Sequence, residues 1–274
     1  MKRHWPEYLT EAAGLGLFML SASAFGALLF HPASPLVAAV PSVPGRNALM
    51  GIAMAFTALA LIYNRWGQQS GAHYNPAVTL TFYRLGKVAP HDALAYVVAQ
   101  FAGGALGMWV ASVVLARWIG HPDVNYVMTL PGRWGMGGAW LAEFSITFLL
   151  MAVVLIVSNT PRIARFTGVC AAVCLFLFIR FEAPVSGMSL NPARTLASAL
   201  VARNWTALWV YFTAPPLGML AAASAYRLVP GRRSVRCAKL DHAGSRRCIF
   251  CEFQAARRGP ETTRASSTIP LRQG

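Results

Sequence analysis

Two stretches of this chain set amide, hydroxyl and guanidinium groups inside strongly apolar sequence. Residues 70–80 read SGAHYNPAVTL, and residues 186–196 read SGMSLNPARTL. Asn75-Pro76-Ala77 thus returns as Asn191-Pro192-Ala193, 116 residues later, each copy preceded by Ser-Gly. Asparagine is a strong helix N-cap and proline suits the first helical position, so each tripeptide predicts the start of a helix. If two such helices meet end to end, their positive dipole ends point at one spot, beside two amide donors. A water held there through its oxygen directs its hydrogens outward, which interrupts proton relay, while the positive ends disfavour cations. The chemistry is selective passage of a neutral, hydrogen-bonding solute. A single Asn-Pro would read as a packing kink; the doubled motif argues against that.

Enzyme chemistry finds little support. A hydrolase needs a nucleophile and a base, yet His73 is the one histidine expected at membrane depth, and no Gly-x-Ser-x-Gly elbow occurs. The expectation is no catalytic residue and no cofactor. A secondary transporter would share an inverted repeat, but no further intramembrane acid faces the proposed pore once Glu11 and Glu143 are assigned.

The elements that must position these groups are helices. Of 274 residues 56% are hydrophobic and 12% charged, against about 25% charged in soluble domains; mean hydropathy is +0.47. Runs of about 20 apolar residues read as spans, and six are predicted, over about 8–30, 47–66, 92–116, 136–158, 164–182 and 206–229. Two segments, about 75–86 and 191–202, are too short to cross. The order is span, span, half-helix, span, twice over (about 8–116 and 136–229), with Glu11 and Glu143 early in each unit. Three spans per unit invert the second unit relative to the first. The fold class is an all-α membrane protein of six transmembrane helices plus two re-entrant half-helices.

The net charge of +15 is read as a topology signal rather than as affinity for nucleic acid. Lys2, Arg3, Arg84, Lys87, Arg162 and Arg165 fall on one side with the tail, and Arg46, Arg117, Arg133 and Arg203 on the other. That bias predicts both termini in the cytoplasm of a multi-pass protein of the cell (inner) membrane. The domain limits are a short N-terminus, 1–7, a channel domain, 8–230, and a tail, 231–274, with ten basic residues against three acidic ones. The tail lacks apolar periodicity and is expected to be disordered, with anionic lipid as a partner surface. Cys170 and Cys174 read as packing residues. Cys248-Ile-Phe-Cys251, with Cys237 and His242 nearby, has a loose zinc-like look, but nothing around it resembles a folded metal module, and no metal site is expected.

The repeated Asn-Pro-Ala, Arg194 directly after the second copy, AQFAGGALG and both early-span glutamates resemble the aquaporin (major intrinsic protein) family over about residues 8–230. The resemblance implies a right-handed bundle, a homotetramer with one pore per subunit, and no enzymatic activity. It implies that Arg194 donates to solute at an outer constriction and repels cations, that Glu11 and Glu143 brace the re-entrant loops through backbone N–H groups, and that His73 lines or buttresses the inner vestibule. Gly103 and Gly107 form a small-xxx-small pair, consistent with oligomerisation.

Offsets from the motifs place Ala55 or Phe56, Ile179 and Met188 around Arg194. Water-selective members of the family usually carry a histidine there, and none occurs between His121 and His242. An apolar ring with one polar rail suits small polyols. Against glycerol, Thr195 stands where glycerol channels of the family carry Asp. The expectation is a passive channel for water, with other small neutral solutes admitted; the alternative is a glycerol facilitator.

Overall fold

The computed structural model describes residues 4–229, 234–242 and 247–258. Among the described residues six helices are long and apolar enough to cross a membrane: α1 (Trp5–Phe30), α2 (Val43–Tyr63), α4 (Pro90–Val114), α5 (Gly135–Ser158), α6 (Thr167–Phe181, which a 3-10 turn at Ala164–Phe166 lengthens to an 18-residue span) and α8 (Leu208–Leu228). Between them lie α3 (Pro76–Arg84) and α7 (Pro192–Ala202), of 9 and 11 residues. At 1.5 Å per residue each covers about half of a ~30 Å hydrocarbon core. The fold is all-helical, as expected.

Local signals explain the boundaries. Ser42 caps α2 by accepting from the Gly45 N–H at 3.2 Å, so this helix begins earlier than the expected 47. It ends at Asn64, whose Oδ1 accepts from Trp66 and Gly67 at 2.8 and 2.9 Å. That starts a separate short helix, Arg65–Ser70, in place of a longer span.

The packing follows the internal repeat. Helix α1 lies along α4, and α5 along α8, while α2 faces α6. Each half-helix crosses to the other repeat: α3 packs on α8 and α7 on α4. The close α1–α4 crossing requires glycine: a Cβ on Gly103 would sit 2.0 Å from the Ala12 carbonyl oxygen, and one on Gly107 2.4 Å from that of Gly16. This corrects the oligomerisation reading of the pair, because both glycines are used inside the subunit.

A second correction concerns the tail. Residues 234–242 form no regular element and bond to the end of the Arg65–Ser70 helix, with Lys239 and Asp241 on Gln68 and Leu240 on Gly71, and α9 (Ile249–Arg258) follows. Val235, Ala238, Leu240, Ile249 and Phe250 join the same apolar cluster as Phe82, Tyr96 and Met219. The expectation of disorder fails for these residues because apolar side chains a few positions apart are buried in the apolar cluster of the helices. Residues 1–3, 230–233, 243–246 and 259–274, with Lys2, Arg3 and much of the basic charge, lie outside the described residues.

Candidate functional site

Asn75 and Asn191 cap the two half-helices. Asn75 Oδ1 accepts from the Ala77 N–H at 2.9 Å, and Asn191 Oδ1 from Ala193 and Arg194 at 3.0 and 3.3 Å. Pro76 and Pro192 occupy the first turn, where their missing N–H is harmless. Each amide also reaches across the repeat axis: Asn75 Nδ2 donates to the Leu190 carbonyl and Asn191 Nδ2 to the Tyr74 carbonyl, both at 2.8 Å. One amide N–H remains on each asparagine. Both residues line a cavity of about 140 Å³ running between the repeats.

The loops leading into the caps are held by the two glutamates. Glu11 Oε1 accepts from Ser70 Oγ at 2.8 Å and the His73 N–H at 3.1 Å; its Oε2 accepts from the Tyr74 N–H at 2.6 Å and Gln100 Nε2 at 2.7 Å. Glu143 repeats the pattern with Ser186 Oγ (2.7 Å), the Ser189 N–H (2.6 Å) and the Leu190 N–H (2.8 Å). These bonds fix an unusual backbone. Gly71 and Gly187 have φ of 97° and 80°, and Ala72, Tyr74, Met188 and Leu190 are also left-handed. Left-handed non-glycine residues carry strain of roughly 1–3 kcal/mol each, which persists only where surrounding bonds over-determine it. Two buried carboxylates, each with several donors, supply that. Tyr96 and Tyr211 complete the symmetry by donating to the Ser70 and Ser186 carbonyls.

A second cavity of about 240 Å³ lies on the opposite side of the asparagines from the tail and shares Phe18, Leu175 and Ser189 with the first. Arg194 projects into it, and its Nη1 has no hydrogen-bond partner in the protein. Ile179 and Met188 line the same space. The third wall differs. Phe56 points away, 67% exposed, and Ala55 is not among the lining residues; Met54 and Met50 are. One residue of error rotates a helical side chain by about 100°, and the count from Asn75 crossed the separate Arg65–Ser70 helix. Thr195 does not face the cavity as an acid would; it shares hydrogen bonds with Thr129 (2.8 Å) and Ser189.

On the tail side His73 is buried and fully bonded. Its Nε2 donates to the Ala238 carbonyl at 2.8 Å, which leaves Nδ1 to accept from Thr79 Oγ1 at 3.0 Å. Its ring lies between Phe82 (5.3 Å between centroids) and Phe250 (5.5 Å). His73 lines the cavity of about 140 Å³, beneath the tail residues Ala238 and Phe250. Outside the spans, Cys237, His242, Cys248 and Cys251 converge. The hydrogen bond between the Cys237 and Cys248 thiols holds Cys248 below the usual thiol range and pushes Cys237 above it.

Sequence reasoning missed Met54, the Ser70–Ser186 hydroxyls, Gln100, the Tyr96–Tyr211 pair and the tail contacts. The Ser-Gly doublet before each motif was the available signal for the serines.

Comparisons with known proteins agree with this geometry. A family model, Major intrinsic protein, matches residues 2–226. Aquaporin NIP1-4 of Oryza sativa subsp. japonica is 39% identical over 68% of this chain and 67% of its own length. Aquaporin NIP1-3 of the same organism is 37% identical over 68% of this chain and 62% of its own length. The chain therefore spans about two thirds or slightly less of these relatives. In fold it is similar to the X-ray structure of the aquaglyceroporin from Plasmodium falciparum, at TM-score 0.68 and 20% identity, covering 82% of this chain and 96% of that one. With the six apolar helices and the paired half-helices, these matches identify a multi-pass integral membrane protein that belongs to the major intrinsic protein (aquaporin) family.

Proposed function

We propose that the chain is a passive channel for water that also admits small neutral solutes, and that it excludes protons and ions. The observation that carries this reading is the Arg194 side chain, which lines a cavity walled by Met54, Ile179 and Met188 and whose buried Nη1 no protein group satisfies. A solute passing this ring exchanges bulk water for one strong donor and three apolar walls. A hydrogen bond to a charged group contributes about 1.5–3 kcal/mol, enough to guide a neutral solute. An ion loses far more hydration than one rail returns. Beyond the ring, Asn75 and Asn191 each keep one amide N–H for the solute, which the converging helix N-termini reinforce.

The runner-up is a glycerol or small-polyol facilitator. The apolar ring beside a single polar rail favours it. Against it, three bulky side chains narrow the ring, and Thr195 is hydrogen-bonded to Thr129 and Ser189 where a carboxylate would be expected. Both termini are placed in the cytoplasm from the positive charge of the loops and tail, and a homotetramer is inferred from the family alone.

Stopped-flow shrinkage of proteoliposomes under impermeant osmolyte, glycerol and urea gradients tests the assignment. Water flux well above that of empty vesicles, with glycerol flux much lower, supports it. Glycerol flux matching or exceeding water flux selects the facilitator.

A further inference from the structure

The tail brings together four side chains that the channel reading does not use. Three Sγ atoms, of Cys237, Cys248 and Cys251, and a ring nitrogen of His242 all lie within 4.8 Å of one another. Cys237 Sγ is 3.5 Å from Cys248 Sγ and 3.7 Å from Cys251 Sγ, and His242 Nε2 is 3.2 Å from Cys251 Sγ. With Zn–S of about 2.3 Å and Zn–N of about 2.0–2.1 Å, a tetrahedral site sets its sulfurs about 3.8 Å apart and a sulfur and nitrogen about 3.5 Å apart. These three separations lie within about 0.3 Å of those values, and the other donor pairs are at most 4.8 Å apart. They are too long for a disulfide bond, and all of these cysteines are free.

The surroundings suit a metal. In sequence the donors run Cys-x4-His-x5-Cys-x2-Cys, and the last pair sits at the start of α9, where the N–H groups of Cys251 and Glu252 donate to the Cys248 carbonyl at 3.1 and 3.0 Å. Three thiolates around a divalent ion leave one negative charge. Lys239 and Arg236 lie beside it, with the Lys239 ammonium fixed by the Gln68 and Arg247 carbonyls at 2.7 and 3.1 Å. A cavity of about 390 Å³ opens next to Cys237, His242 and Cys251 and gives an entry path. Sulfur-rich ligands select soft ions over magnesium or calcium.

The same donors bracket the segment that covers the pore. Leu240, between Cys237 and His242, lines the cavity that holds Asn75 and Asn191. The Ala238 carbonyl accepts from His73, the Leu240 N–H donates to the Gly71 carbonyl at 3.2 Å, and Gln68 Nε2 donates to Asp241 at 3.0 Å. Phe250, between Cys248 and Cys251, is fully buried against His73.

We propose that Cys237, His242, Cys248 and Cys251 bind one thiophilic divalent cation of the zinc type, which clasps residues 237–242 against residues 248–251 as a plug over the pore mouth on the side of the tail. The metal site stands independently of the solute assignment; its effect on flux rests on the channel reading. When the ion is absent, the four donors are no longer tied together, the plug loses its closure, and the passage beside His73 opens.

The test uses the full-length protein, purified without chelator. Elemental analysis is expected to find one zinc ion per chain after gel filtration, and replacement by cobalt(II) is expected to give thiolate-to-cobalt charge transfer with tetrahedral d–d bands. The Cys248→Ser/Cys251→Ser variant loses both signals. In proteoliposomes, stripping the wild-type protein with a zinc chelator raises water flux several-fold, and adding zinc reverses the rise. The Leu240→Ala/Phe250→Ala variant keeps the metal and is open in its presence. A full-length chain that binds no zinc or cobalt even after dialysis against excess metal overturns the site. Bound metal with equal flux in loaded and stripped protein overturns the plug. Bound metal with no flux in any state, the Leu240→Ala/Phe250→Ala variant included, supports the site and overturns both the plug and the channel reading.

Discussion

Asn75 and Asn191 hold one another's loops: each donates an amide N–H, at 2.8 Å, to the carbonyl that immediately precedes the other. The two half-helix starts are thereby locked as one unit, and neither cap can move without releasing a bond on the opposite repeat.

Asn191→Asp separates this clasp from the cap. Aspartate still accepts from the Ala193 and Arg194 N–H groups, and it caps helices as well as asparagine does. Its second oxygen, however, faces the Tyr74 carbonyl, acceptor against acceptor. The expected loss is about 1–3 kcal/mol of stability, seen as a lower unfolding temperature in detergent, together with cation leakage in dye-loaded vesicles. Unchanged stability and no leak would contradict the clasp.

Glu143→Gln tests the bracing of the second loop. A glutamine can satisfy the donors on one side only, so its Nε2 meets either the Leu190 N–H or the Ser186–Ser189 pair. Each buried donor left unpaired costs about 1–3 kcal/mol, and the left-handed backbone at Met188 and Leu190 loses its restraint. Thermal unfolding is expected to fall clearly, with water flux per folded channel reduced. A variant as stable and conductive as wild type removes the bracing role.

Met54→Ala and Phe56→Ala decide the third wall of the ring. Met54 is buried and lines the outer cavity, whereas Phe56 faces outward. Widening at Met54 is expected to raise glycerol permeability relative to water, and truncation at Phe56 to leave the ratio unchanged. The opposite pattern would restore the offset read from the motif.

Gly103→Val addresses where the glycine pair works. A Cβ there would lie 2.0 Å from the Ala12 carbonyl oxygen, so α1 and α4 are forced apart. Overpacking of this kind costs about 1–3 kcal/mol or more, and the expected result is poor yield of folded subunits. A well-folded variant that merely changes its oligomeric state, measured by light scattering, would return Gly103 to a subunit interface.

The motifs were legible because their chemistry is local: an asparagine cap followed by proline starts a helix wherever it stands. Glu11 and Glu143 were placed by position within each repeat, and their partners proved to be the loop N–H groups. Met54 was not legible, since helical phase cannot be carried across the break at Asn64. The tail was misread for a different reason. Its composition is basic and lacks periodicity, and the order of residues 234–242 and 247–258 comes from tertiary contacts of Leu240, Ile249 and Phe250 with an apolar cluster that sequence alone does not reveal. The four metal donors lay in view, but only folding brings them within bonding range.

The central claim is that neutral solute passes down one continuous file through the Asn75–Asn191 contact while protons do not. Osmotic water flux through proteoliposomes of the chelator-stripped protein, measured against temperature with a pH-sensitive dye inside, tests it most directly. The expected result is flux well above that of empty vesicles, an activation energy close to that of water self-diffusion, and no proton entry under an imposed potential. Saturating uptake driven by a proton gradient, or an activation energy equal to that of bare lipid, would contradict it.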